Sequence, residues 1–182
     1  GRVSAGTGKR GAVGAGGAGR GDTGAGFVVH GCVDGARPEI HCGSHTNSRA
    51  RVAVSVQKDG LLPLSQHALR TYGMLTYHDY EGIALELDER GRMAADLGTT
   101  SKAMILRNHG LLTLGDSVSE AFELMYYLDT ACQIQIDALA GGRVEAGLID
   151  EQTARKGFEQ FQGPGGAAVY KAWAAWLRMP AR

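Results

Sequence analysis

Apolar residues begin to recur in an organised way at Phe27. "FVVHGCVDGAR", residues 27–37, places Phe27, Val28, Val29, Cys32, Val33 and Ala36 as a strand end running into a short helix, which Pro38 ends. "EIHCGSHTN" reads as a strand with a polar mouth. "ARVAVSVQ", residues 50–57, suits a small-residue helix or a strand, because its periodicity does not decide. "MLTYHDYEG" and "GIALELDER" look like short extended or loop segments. "RMAADLG" predicts a short helix that Gly98 closes. "KAMILRNHG" and "LLTLG" predict two strands turning at Asn108-His109-Gly110. The clearest element follows: residues 117–140 carry an apolar stripe at helical spacing, ended by Gly141-Gly142. Asp116 or Ser117 can cap it, and Glu120 stands three residues after Ser117, the capping-box spacing. A second amphipathic helix is expected near 150–161. "QGPGG" breaks it, and "VYKAWAAWLRM" then puts Trp173 and Trp176 on one face, as packing anchors against the domain or a neighbouring subunit. Strands and helices thus mix within one α/β-type domain.

The first 26 residues do not share this pattern. "GRVSAGTGKRGAVGAGGAGRGDTGAG" has almost nothing to bury, so ordering it would cost entropy without return. A flexible arm is expected for 1–26, the domain proper for 27–145, and a helical tail for 146–182. Within the arm, Gly6–Gly11 formally matches GxGxxG. No strand precedes it and no amphipathic helix follows, so chance explains the match, as it does Arg20-Gly21-Asp22.

Composition narrows the function classes. With 19 basic and 19 acidic residues in 182, the chain carries no net charge and no electrostatic footprint for nucleic acid or an anionic membrane. No apolar run approaches the roughly 18 residues of a membrane span. No apolar h-region marks a signal peptide. Three cysteines without CxxC spacing, Cys32, Cys42 and Cys132, argue against a disulfide scaffold and for a reducing cytoplasm. Cys32 and Cys42 could be a soft metal pair, but buried small hydrophobes fit better.

The candidate chemistry lies in six histidines: His30, His41, His45, His67, His78 and His109. Zinc takes three or four N, O or S ligands, and catalytic sites keep one position open. A His-x-His on a strand puts both imidazoles on one face, and a third from a distant turn closes the set. His45-Thr46-Asn47 is a His-x-Asn, and His109 is the distant turn. On spacing alone, a turn histidine reads as hydrogen-bonded structure or as a ligand. Tyr77-His78-Asp79-Tyr80-Glu81 reads as a polar loop edge or as acid–base groups. Arg107 can meet a substrate anion or pair with a surface acid, and His67 and His41 read as structural or exposed.

"HTNSRARVAVSVQKDGLLPLSQHAL", "YHDYEGIALELDER" and "LGTTSKAMILRNHGLLTLGDSVSEAFELMYYLDTACQIQIDALAGG" resemble the class II aldolase/adducin family over roughly residues 24–145. "YHDYEG" and "GLLPLSQ" point to its adducin-like branch. The resemblance implies a three-layer α/β fold, with a central, largely antiparallel sheet covered by helices on both faces. It also implies a divalent metal, usually zinc, that polarises a substrate carbonyl or hydroxyl. Carried over by position, His45 matches the first ligand, Asn47 the second and His109 the third. Asn47 departs from the family's histidine, and an amide oxygen is a poorer zinc donor than imidazole. The family's acid/base glutamate falls near Gly26, and Asp34 is a substitute carboxylate or a neutral surface change. The expectation is lyase-like chemistry on a small hydroxy-carbonyl or sugar-like substrate (aldol cleavage, epimerisation or decarboxylation), impaired by these two departures. The alternative is a non-catalytic adducin-like binding or scaffold module. Under either, the resemblance implies a homo-oligomer, commonly a tetramer.

Overall fold

The structure, a computed structural model, describes residues 2–4, 32–33, 37–82, 87–142, 147–163, 173 and 177–178. Five strands form one sheet: β1 (Arg2–Ser4), β2 (Cys42–Thr46), β3 (Leu75–His78), β4 (Ala103–Leu106) and β5 (Gly110–Gly115). Their order is β1-β2-β5-β4-β3. Every pair is antiparallel except β3 with β4. The helices are α1 (Arg49–Ser55), α2 (Gln66–Leu69), α3 (Leu87–Leu97), α4 (Val118–Leu139) and α5 (Glu151–Gln162).

The two central strands explain the layering. Every residue of β4 and β5 is buried, so both faces of the sheet need a cover. Side chains alternate between faces. Met104, Leu106, Leu112 and Leu114 pack with Met93 and Leu97 of α3 and with Cys32, Val33 and Ile40. Ala103, Ile105 and Leu111 pack on the other face with Val54 of α1 and with Met125, Leu128 and Cys132 of α4. The result is the predicted three-layer arrangement around a largely antiparallel sheet.

Individual elements follow local chemistry. The Ser117 hydroxyl accepts from the Glu120 amide, while the Glu120 carboxylate accepts from the Asp116 amide at 2.8 Å. That is the reciprocal capping that starts α4. Of residues 50–57, open between helix and strand, Ala50 to Ser55 lie in α1. Ala50 and Val54 stand four apart on its core-facing side, while Val56 is 54% exposed just past its end. Leu87-Asp88-Glu89-Arg90, expected as extended or loop, instead opens α3, because Glu89, Met93 and Leu97 recur every four residues on its buried side. Gly98 takes φ +63° where α3 stops. In the stretch expected as a flexible arm, Arg2–Ser4 pair with Gly43–His45. The rest of that stretch, with His30, Asp34 and Trp176, lies outside the described residues. Trp173 packs edge-on against Phe122 with ring centroids 5.4 Å apart, as a packing anchor should.

The polar position that matters most inside the apolar stripe of α4 is Gln135, which is fully buried. Its Oε1 accepts from the Leu62 amide at 2.7 Å. Its Nε2 donates to the Gly60 carbonyl at 2.8 Å and to the Gln57 Oε1 at 2.6 Å. One side chain thereby closes the backbone of the loop after α1. Replacing Gln135 with Leu leaves the Leu62 amide and the Gly60 carbonyl buried without partners. At about 1–3 kcal/mol for each such group, urea denaturation should report a loss of about 2–6 kcal/mol. A loss under about 0.5 kcal/mol would mean the loop finds other partners.

Candidate functional site

The Asn108-His109-Gly110 turn is built rather than loose. Asn108 is the single described non-glycine residue with positive φ, at 57°, a conformation that Asn tolerates better than most residues. Three segments hold the turn: the end of β3, the end of α1 and the loop after α1. The Arg107 amide donates to the His78 carbonyl at 2.8 Å, and the Asn108 amide to the Ser55 carbonyl at 3.3 Å. The Arg107 guanidinium donates to the Gln57 carbonyl at 2.6 Å and lies 4.4 Å from the Tyr77 ring centre. Arg107 therefore meets a backbone carbonyl and an aromatic face, in place of the substrate anion or surface acid suggested by its sequence position.

His45 reaches the same place from β2. It is paired with Leu112 across the sheet, and Leu112 belongs to the α3-side core. Directly paired residues share a face, so His45 projects on the α3 side. The His45 and His109 ring centroids are 4.9 Å apart and the planes meet at 69°. The Leu111 carbonyl lies 2.9 Å from His45 Nδ1. A carbonyl can only accept, so Nδ1 carries a proton. Burial holds the His109 imidazole below the usual histidine range, and the charge of Glu89 works against that shift.

Asn47, the remaining residue of the sequence-predicted set, is exposed just past the end of β2. A Cβ placed on Gly110 would fall 2.6 Å from Asn47 Oδ1 and 2.6 Å from the Thr46 carbonyl oxygen. The Asn47 amide thus lies against the backbone of the turn that carries His109, and Gly110 leaves it room. His45, Asn47 and His109 are gathered at one end of β2 and β5. Among the described residues no three of His, Cys, Asp and Glu are arranged to share an ion.

His78, read in the sequence within a polar loop edge or as an acid–base group, and Glu89, which the sequence reading passed over, are both buried. His78, aligned with Leu106 on the α3 side, is 4% exposed. Its Nδ1 donates to Asp96 Oδ2 at 2.7 Å, and its Nε2 stands 3.6 Å from Glu89 Oε1. Glu89 is buried at the start of α3. The signal for it was its four-residue spacing from Met93 and Leu97. The rest of the reactive-looking loop is occupied by structure. The Tyr77 hydroxyl accepts from the Leu61 amide, and the Glu81 carboxylate accepts from Arg92. His67 stacks near Tyr127 and His41 is exposed. The three cysteines are buried and unbridged, with burial raising Cys42 and pushing Cys132 up to about 12, so neither of these two is a thiolate ligand.

A separate cavity of about 310 Å³ lies at the far end of β4, lined among others by Arg70, Lys102, Glu120 and Phe158. Its cations are engaged: Lys102 donates to Glu120 at 2.7 Å, and Arg70 donates to Glu123 and to the Phe161 carbonyl. No described helix is long and apolar enough to cross a membrane.

Two outcomes test this geometry. Gly110→Ala drives a methyl into the Thr46 carbonyl and should cost about 1–3 kcal/mol in urea denaturation. Gly91→Ala, on the exposed side of α3 with nothing within 4 Å of its Cβ, should be neutral or gain up to about 1 kcal/mol. The pH dependence is the second outcome. The folded pKa of His109 lies below its ordinary 6.5, so the unfolded chain takes up this proton first. The stability that depends on a neutral His109 is complete above about pH 6.5 and is lost as pH falls from there through the folded value. In metal-free protein, His109→Gln should therefore lose less stability than the native chain between about pH 7 and about pH 5. Parallel curves would show that the ring is not desolvated.

The sequence profile of the family described as "Class II Aldolase and Adducin N-terminal domain" matches residues 7–136. An aldolase class 2 protein of Pseudomonas aeruginosa is 48% identical over 118 residues, covering 65% of this chain and 45% of its own length. Alpha-adducin of Rattus norvegicus is 44% identical over 128 residues, covering 69% of this chain and 17% of that protein. The crystal structure of an aldolase II superfamily protein from Pseudomonas syringae superposes with a TM-score of 0.77 at 46% identity, covering 85% of this chain and 61% of that one. L-fuculose 1-phosphate aldolase from Glaciozyma antarctica PI12 gives 0.66 at 31% identity, covering 81% and 55%. The chain spans about half the length of the curated bacterial relatives it matches.

Proposed function

We propose, from the premise that the chain belongs to the class II aldolase and adducin family, that it is a lyase-type protein acting on a small hydroxy-carbonyl or sugar-like substrate, with a divalent metal, zinc by donor type, held by His45, His109 and Asn47. The observation that carries the proposal is the convergence of two imidazoles, from a strand and from a turn held on three sides, at 4.9 Å.

The residues present fit such an ion through two imidazoles and one amide oxygen. The Leu111 carbonyl accepts from His45 Nδ1, which orients the ring and makes Nε2 the nitrogen that would ligate an ion. Burial keeps His109 neutral to lower pH than an exposed histidine, and neutral imidazole is the ligand form. Asn47 offers a carbonyl oxygen without adding charge, which makes it the weakest of the three donors. A bound divalent ion supplies Lewis acidity to a carbonyl or hydroxyl oxygen. The chain's own contribution is a fixed pair of lone pairs and a dry wall, formed by the α3-side core behind them. The 31% identity to L-fuculose 1-phosphate aldolase supports the substrate class.

A second reading is favoured by Asn47 itself and by the 44% identity to alpha-adducin: a non-catalytic module whose value is assembly into homo-oligomers. One measurement separates the two. Elemental analysis and zinc titration of the native chain should show binding that His45→Ala and His109→Ala abolish. Asn47→His should tighten that binding by at least about 10–100-fold, taking the effect of losing an outer-shell partner as a lower bound. Zinc in Asn47→His alone would favour the module. Zinc in neither would remove the metal site from both readings.

A further inference from the structure

Asn47 is exposed, so burial does not decide which way it points. The residues on either side of it do. The Thr46 hydroxyl donates to Met125 Sδ at 3.3 Å, and the Ser48 hydroxyl to Asp129 Oδ1 at 2.9 Å. Both acceptors lie on α4, four residues apart, which is about one helical turn or roughly 5.4 Å. Thr46 and Ser48 are two residues apart, roughly 6.6 Å in extended chain, and Ser48 is itself extended at φ −67° and ψ 159°. The two spacings nearly match, so alternate residues of the chain leaving β2 meet successive turns of one helix. Side chains of an extended chain alternate in direction. Holding Thr46 and Ser48 to α4 therefore turns His45 and Asn47 to the α3 side.

Gly110 gives an independent view of the same direction. It stands two residues before Leu112, whose side chain lies in the α3-side core, so a Cβ on Gly110 would point to that side as well. That Cβ would meet Asn47 Oδ1 at 2.6 Å. The Asn47 amide is thus on the face to which His45 projects. Ser48 shows what the arrangement costs. It occupies the N-cap of α1, where a serine hydroxyl ordinarily accepts from an amide of the first turn. Here the side chain makes no cap bond, and the first turn holds no acidic residue in compensation. The hydroxyl goes to Asp129 instead. Asp129 is fixed to receive it, because Oδ1 also accepts from Arg51 Nε at 2.6 Å and Oδ2 from Gln133 Nε2 at 2.8 Å.

We propose that Asp129 is the positioning residue for Asn47: by holding Ser48 to α4, while Met125 holds Thr46, it turns the Asn47 amide to the face on which His45 stands. The inference rests on the reading of His45, Asn47 and His109 as one donor set. It adds a residue of the opposite layer that aims the third member.

The test follows the side-chain amide of Asn47 by nitrogen-15 NMR in the whole metal-free chain. Ser48→Ala and Asp129→Ala should each shift that resonance and speed the exchange of its protons with water. Asp129→Asn, which keeps an acceptor oxygen for Ser48, should shift it less. Gln133→Ala removes a bond to the other carboxylate oxygen and leaves the Ser48 tie, so Asn47 should stay in place. Ser48→Ala still reads the tie if Asp129→Ala fails to fold. An Asn47 resonance unmoved in Ser48→Ala, or moved as far by Gln133→Ala, would overturn the inference. Zinc titration separates it from the metal-site reading. If the native chain binds zinc, Ser48→Ala should bind it about 10–100-fold more weakly, and the same change made in Asn47→Ala should have no further effect. Equal weakening in both backgrounds would overturn the positioning role. A native chain that binds no zinc, yet whose Asn47 amide answers to Ser48 and Asp129, keeps the positioning role and loses the metal site.

Discussion

The antiparallel register of β2 on β5 is the constraint on which the His45–His109 pair depends. It sets His45 opposite Leu112 and Thr46 opposite Leu111. Side chains alternate along a strand, so a slip of one residue would send His45 to the α4 side and Thr46 to the α3 side. Two polar contacts oppose that slip. The Thr46 hydroxyl reaches Met125 Sδ at 3.3 Å, and the Thr113 hydroxyl donates to the Ala121 carbonyl at 2.8 Å. Both pin the α4-facing positions of β2 and β5 to one helix. The burial of Leu112 and Leu114 against Met93 and Leu97 adds the apolar penalty for any other register. Folding energy and the position of the imidazole are therefore set by the same pairs.

The turn adds a second constraint. Its backbone amides reach the chain end of α1 at Ser55 and the end of β3 at His78, while Arg107 ties it to Gln57 and Tyr77. Buried backbone groups that close against several elements leave little freedom. A ring carried on such a turn is aimed by the scaffold, so small changes well away from it, at Gly110 or at Gln135 through the loop after α1, bear on the same geometry.

Much of this was legible in the residues. Asn108-His109-Gly110 between apolar runs gives a hairpin, because the runs are too short for helices and Asn and Gly accept unusual φ. The capping pair Ser117 and Glu120 with a long apolar stripe gives α4. The resemblance placed His45, Asn47 and His109 together, and the fold brings the rings of His45 and His109 to 4.9 Å. Other features were hidden for physical reasons. In "ARVAVSVQ" the valines alternate at two while Ala50 and Val54 stand four apart, so helix and strand patterns coexist until a sheet is there to choose. In "LELDER" the charges suggest surface, and only the Met93 and Leu97 positions reveal that Glu89 lies on the buried stripe. Pairing of β3 parallel to β4 joins segments separated by α3, and that is a tertiary fact no local pattern carries. The hydrogen bond from His45 to Leu111 depends on register, and so does the ring orientation it sets.

The energetics of the pocket bear on which of the two functional readings is the more economical. A scaffold needs a folded domain with a suitable surface. It gains nothing from a desolvated imidazole at residue 109, whose burial disfavours the protonated ring, nor from a carboxylate buried on α3. An apolar residue at either position would pack at lower cost. The Arg70–Glu123 pair, by contrast, joins α4 to the α2–α5 side through Glu123, Phe161 and Tyr127, so its buried charges have an architectural use. His45 and Glu89 also reach other elements, at the Leu111 carbonyl of β5 and at His78 of β3, but those contacts do not join helix to helix. Local sequence and global stability disagree at His45, His109 and Glu89 while agreeing through most of the core, and such disagreement is characteristic of groups placed for a ligand. On that argument the lyase-type reading accounts for the cost of the site, whereas the assembly reading leaves it unexplained.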